Sequence, residues 1–131
     1  MNGNRYHIFV SNNAELIFEY LYTVEEYITF RVYVKSYGFS GASNFCIHTR
    51  TLHERRDSMK NLSGLSAGLY EIHDYDSDDF ICFRYDEKVL YVTGLLGGSY
   101  NDNHMKFSFT ADQTVFALIA STFSNFISLG E

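Results

Sequence analysis

Proline and tryptophan are absent from this 131-residue chain, and cysteine occurs only twice. Without proline there is no rigid linker to separate domains, and turns have to be made by Gly, Asn, Asp and Ser. Cys46 and Cys82 each sit inside a strand-like run, with no second Cys at metal-ligand spacing. That pattern predicts two buried thiols rather than a zinc site or a disulfide. No apolar run approaches the ~20 residues of a membrane span. The opening MNGNRYHIFV also lacks the charged-then-apolar pattern of a secretory signal, so the expectation is a cytoplasmic domain. Ten basic residues against sixteen acidic ones leave a formal charge of −6. A general nucleic-acid binder needs net basic surface, and this balance excludes one.

What the chain has in quantity is aromatic: 12 Phe and 11 Tyr, within an apolar fraction of 46%. Such a composition folds. The length fits one domain, 1–131, which buries about two-thirds of its unfolded surface and needs neither metal nor disulfide for a core.

Alternation predicts strands over 5–11, 15–22, 27–37 and 44–48. Leu16, Phe18 and Tyr20 share one face of the second, and Ile28, Phe30, Val32 and Val34 one face of the third. A three-residue loop, Val24-Glu25-Glu26, sets Leu16, Phe18 and Tyr20 opposite Val34, Val32 and Phe30. The other face then pairs Glu15 with Lys35 and Glu19 with Arg31, and a slip of one residue would break both sets. The glycine-bracketed segment 37–41 reads as a bend before the fourth strand. Thr51 and Glu54 have capping-box spacing, and Leu52, Met59 and Leu62 recur at helical intervals before Gly64. This helix carries Arg50, Arg55, Arg56 and Lys60 and belongs on the surface.

Four more strands follow over 67–73, 79–85, 89–95 and 104–109. A two-residue turn at Asp86-Glu87 would place Phe83 opposite Leu90 and Ile81 opposite Val92. Thr110 with Gln113 repeats the capping-box spacing, and a helix runs to about Leu129 with Gly130 as its stop. Phe116, Ile119, Phe123, Phe126 and Ile127 form its core stripe. No charged residue lies between Asp112 and Glu131, and the opposite side carries Thr114, Ala117, Ser121, Ser124 and Ser128. Either that side is covered within the monomer, for example by the 97–103 loop, or it packs on a second copy in a homodimer or on another partner. The order as a whole is (ββββα) twice. It predicts an α+β domain of about eight mostly antiparallel strands with two helices packed on the sheet.

Chemistry-bearing patterns are few. Glu71, Asp74, Asp76, Asp78 and Asp79 put five carboxylates within nine residues. The D-x-D-x-D opening suits a calcium loop, but Asp79 stands where Gly is required and Tyr85 where Glu is required. The cluster reads instead as a solvated loop or as a docking patch for a basic protein. His7, His48, His53, His73 and His104 are scattered, and His53-Glu54 lacks the second His of a zinc-protease helix. There is no G-x-S-x-G elbow, and the glycines of 94–98 lack the Gly-Lys-Ser/Thr ending of a phosphate loop. No catalytic residue, metal ligand or cofactor is therefore expected. The outer face of the third strand alternates Tyr27, Thr29, Arg31, Tyr33, Lys35 and Tyr37. That face suits base stacking or protein contact, or simply a sheet covered by Ile17 and Leu21 or by a helix.

Three segments carry a family resemblance. They are YGFSG (37–41), FCIHTRTLHE (45–54) running into a helix that ends NLSGLSAG (61–68), and MKFSFTADQT (105–114) before the last helix. Together, over roughly 27–127, they resemble the WapI-family immunity proteins of bacterial polymorphic-toxin systems. The resemblance implies a small cytoplasmic bacterial protein, not an enzyme, that binds and neutralises the toxin domain encoded beside it. Its partner would be that protein, with no nucleic acid and no membrane. No toxin-contacting residues transfer. Charge points to Glu71, Asp74, Asp76, Asp78 and Asp79 as the contact surface, because toxins acting on nucleic acid are often basic at their active sites. The readings from other classes are a carrier of a small apolar ligand among the Phe and Tyr side chains, and an enzyme with convergent, perturbed titratable groups.

Overall fold

The computed structural model describes residues 4–62, 67–98 and 103–131. The fold is α+β. Strands β1 (Arg5–Val10), β2 (Ala14–Val24), β3 (Tyr27–Ser36) and β4 (Phe39–His48) lead into helix α1 (Thr49–Leu62). Strands β5 (Ala67–His73), β6 (Phe80–Asp86), β7 (Val89–Leu96) and β8 (Met105–Ala111) lead into helix α2 (Thr114–Leu129). The strands form two separate antiparallel meanders, β1-β2-β3-β4 and β5-β6-β7-β8.

Alternation set the β2–β3 register. Leu16, Phe18 and Tyr20 face Val34, Val32 and Phe30, while Glu15 faces Lys35 and Glu19 faces Arg31. The tip differs from the expected three-residue loop. Register shifts between Tyr20 and Tyr22, so Leu21 is a bulge and Val24 pairs with Tyr27. The turn shortens to Glu25-Glu26, with Glu25 at φ 58°. Two-residue turns with positive φ match strand twist, and the bulge absorbs the odd residue.

The segment 37–41 is no bend before a strand. Tyr37 and Gly38, at φ 53° and 94°, make the β3–β4 turn, and β4 begins at Phe39. Between β6 and β7 the turn is Glu87-Lys88, one residue later than expected. Phe83 therefore pairs with Val92 and Ile81 with Gly94, a slip of two that leaves each side chain on its expected face.

Neither expected capping box forms. Thr49 starts α1, two residues before Thr51, and its backbone N–H and hydroxyl both donate to the Glu26 carbonyl, at 2.8 and 2.9 Å. Thr110 lies within β8. The first N–H of α2 is held by Asp112 Oδ1 at 2.9 Å, while Gln113 accepts from the Tyr85 hydroxyl. Gly130 ends α2 as expected, donating to the Phe126 carbonyl.

One core joins both sheets and both helices. The far half of α2 packs on the first sheet, where Phe123 lies 6.0 Å from Phe18 and Phe126 lies 5.3 Å from Phe30, ring centre to centre. Its first turn meets the second sheet, with Phe116 edge-on to Tyr85 at 5.9 Å. Leu52 and Met59 of α1 are fully buried. Each such side chain contributes roughly 1.5–3 kcal/mol by leaving water. On the small side of α2, Thr114, Ala117, Ser121 and Ser128 are exposed and Ser124 is half-buried among the described residues. Part of its expected cover, residues 99–102, lies outside the described residues. Cys46 and Cys82 are free and half-buried rather than buried.

Candidate partner-binding surface

The acidic run divides into two functions, and the division follows from burial. Asp79 is 2% exposed. Its Oδ1 accepts the Gly98 N–H at 2.6 Å, and its Oδ2 accepts the Gly97 N–H at 3.1 Å and the Ser43 hydroxyl at 2.5 Å. Gly97 and Gly98 have φ of 94° and 79°, a backbone turn that aims successive N–H groups at an anion. A Cβ on Gly97 would lie 2.8 Å from the Asn103 carbonyl oxygen, so the position requires glycine. Asp79 thereby clamps β4 of the first sheet to the end of β7 in the second.

Asp74 makes a second clamp. Its Oδ1 accepts the Cys46 N–H at 2.8 Å, and its Oδ2 accepts the Ser77 hydroxyl at 2.6 Å. The Tyr75 N–H donates to the Cys46 carbonyl at 2.9 Å, and the Asp74 N–H closes the loop on the Asp79 carbonyl at 3.0 Å. Both backbone groups of Cys46 on the open edge of β4 are thus satisfied by this loop, which blunts the edge against pairing with another chain. Burial, followed by weaker repulsion from Asp76 and Asp74, pushes the Cys46 thiol up from its ordinary value.

Of the five carboxylates expected at a partner surface, Asp79 presents none of its charge outward, and both oxygens of the half-buried Asp74 are engaged. Glu71 stands apart on β5, half-buried and 3.1 Å from His73 Nε2. Asp76 and Asp78 are exposed at the loop tip. Asp76 directly follows Tyr75, which is 69% exposed although its backbone N–H is held by the Cys46 carbonyl. The Tyr75 ring rests 5.2 Å from that of Tyr27, which meets His48 edge-on at 5.0 Å. His48 Nε2 lies 3.8 Å from Glu26. A hydrogen bond to Tyr75, and then the neighbouring phenol's charge, hold Tyr27 above its ordinary value. The sequence offered Tyr27 on the alternating face of the third strand and His48 as one of five scattered histidines, but not Tyr75. The available signal was an aromatic residue in the middle of a carboxylate run.

The aromatic-basic face of β3 is occupied by its own neighbours. The Arg5 and Arg31 guanidinium carbons lie 4.7 and 5.4 Å from the Tyr33 ring centre, and the Tyr33 hydroxyl donates to Glu19 at 2.9 Å. Arg31 also donates to Asn44 at 3.1 Å. Ile17 and Thr29 are both 8% exposed, so the middle of the face is covered, while Lys35 and Tyr37 remain exposed. Phe18, Phe30, Phe45, Phe83, Phe116, Phe123 and Phe126 are fully buried against one another and their neighbours. These seven aromatic side chains belong to the packed core. No helix of the described residues is long and apolar enough to cross a membrane.

Compared with known proteins, the chain matches no family model, no curated protein and no solved structure at a significant level.

Proposed function

We propose that this chain is a non-enzymatic immunity protein that binds and neutralises a cognate bacterial toxin domain in the cytoplasm, docking it on the face around Tyr75. The resemblance of segments 37–41, 45–54 and 105–114 to the WapI-family immunity proteins supplies the class of function. The observation that carries the docking face is the combination at Tyr75 of an exposed ring and a fixed backbone. Tyrosine is among the residues that dominate interface energies, and a loop already held by Asp74 and Asp79 loses little freedom on binding. Asp76 and Asp78, exposed on the same loop of a chain of charge −6, favour a basic partner and speed its approach.

The test uses the toxin domain encoded next to this gene. Tyr75→Ala should raise the dissociation rate and weaken binding by about 2 kcal/mol, the threshold of an interface hot spot. Asp76→Asn with Asp78→Asn should slow association and flatten its salt dependence, with less effect on dissociation. Unchanged rates in both variants would remove this face from the interface.

A further inference from the structure

A groove of about 380 Å³ lies between α1 and β5, lined by Arg55, Ser58 and Asn61 on the helix and by Leu69, Tyr70 and Glu71 on the strand. Its volume is in the range of small-ligand sites. Two features of this groove are left unexplained by folding. Tyr70 is 4% exposed, and among the described residues its hydroxyl is the one buried side-chain polar atom without a hydrogen-bond partner. Leaving such a group unpaired costs about 1–3 kcal/mol. Arg55 is half-buried with its guanidinium carbon 5.9 Å from the Tyr70 ring centre, and it holds no carboxylate among the described residues. Its neighbour Arg56, by contrast, pairs with Asp57 at 3.1 Å. Burial holds the Tyr70 phenol well above its ordinary value against the opposing charge of Arg55, so the hydroxyl remains a proton donor.

We infer that this groove is a binding site for a small oxyanion, the carboxylate or phosphate group of a small molecule. Arg55 is the charged anchor, the Tyr70 hydroxyl the buried donor, and Ser58 and Asn61 the flanking donors. A guanidinium fork matches either oxyanion with two parallel hydrogen bonds. The Tyr70 hydroxyl is shut off from water, so binding requires the groove wall to open locally at that point. Glu71, the one carboxylate on the groove wall, is drawn toward His73 at 3.1 Å. The site is independent of toxin binding and stands or falls separately from it.

The full chain, labelled with 15N, is titrated with inorganic phosphate and separately with acetate, at ionic strength fixed by sodium chloride, following the Arg55 side-chain Nε–H signal. A saturable shift with phosphate assigns the phosphate group, and one with acetate the carboxylate. Arg55→Gln should abolish saturation, read on the backbone signals of Ser58 and Asn61. Tyr70→Phe should weaken binding about tenfold while leaving the thermal midpoint unchanged or raised, because the deleted hydroxyl has no partner to lose. Two results would overturn the assignment. One is a shift that rises linearly with both anions, or persists in Arg55→Gln. The other is a Tyr70→Phe variant that melts well below the parent, which would mean that the hydroxyl is already bonded in the fold.

Discussion

Replacing Asp79 with alanine tests the clamp between the two sheets. The substitution removes the carboxylate that accepts from the buried Gly98 N–H and from the partly buried Gly97 N–H and Ser43 hydroxyl. An unpaired buried donor costs about 1–3 kcal/mol, and the two part-buried ones recover some hydration, so the total is about 3–5 kcal/mol. That is a large share of the roughly 5–15 kcal/mol that holds a domain of this kind folded. Asp79→Asn keeps one accepting oxygen for Gly98, and its amide can donate to Ser43. Only the Gly97 bond is then lost, at about 1–2 kcal/mol. Urea unfolding followed by circular dichroism reads both variants. With a slope of about 2 kcal/mol/M, the alanine variant should unfold at roughly 1.5–2.5 M less urea, and the asparagine variant should fall between it and the parent. Ser43→Ala combined with Asp79→Ala should cost less than the sum of the two single changes, because both remove the same bond. An Asp79→Ala cost below about 1 kcal/mol would refute the clamp and mean that the carboxylate is solvated.

Three further outcomes are expected. Phe30, fully buried among Phe18, Phe45, Phe123 and Phe126, should cost about 3–5 kcal/mol when cut to alanine, measured by the same urea transition. Ser121→Lys on the exposed side of α2 should change stability by no more than about 0.5 kcal/mol; a larger loss, seen as a lower melting temperature, would mean that something covers this side in solution. Burial is the leading cause that raises both Cys46 and Cys82, so less thiolate is present at a given pH. Alkylation by iodoacetamide at pH 8 should be slower than for free cysteine and should rise as pH increases, with the modified residues identified by mass spectrometry.

Register was legible wherever alternation and charge agreed. In β2 and β3 the apolar face and the Glu15–Lys35 and Glu19–Arg31 pairs allow one alignment, and that alignment forms. Turns were less legible, because several polar residues serve equally well: Asp86-Glu87 and Glu87-Lys88 differ by one position and keep the same faces. The start of β4 was hidden, since Phe39-Ser40-Gly41-Ala42-Ser43 has no apolar alternation and takes its strand form from pairing with β3. At the acidic loop the charge run was plain, but its division was not. Asp79 is buried by Ser43, 36 residues before it, and by Gly97 and Gly98, 18 and 19 residues after it. Only tertiary contact tells that carboxylate from Asp76. Tyr70 was hidden for a different reason: an inward tyrosine on a strand reads as an ordinary core aromatic, and its missing partner shows only in three dimensions.

The most direct test of the proposed immunity function is titration of the purified chain with the toxin domain encoded beside it, followed by calorimetry and by the toxin's own activity in the same mixture. The expected result is a one-to-one complex of about nanomolar affinity or tighter, with toxin activity abolished at equivalence. An active toxin and no heat of binding at tens of micromolar protein would contradict it.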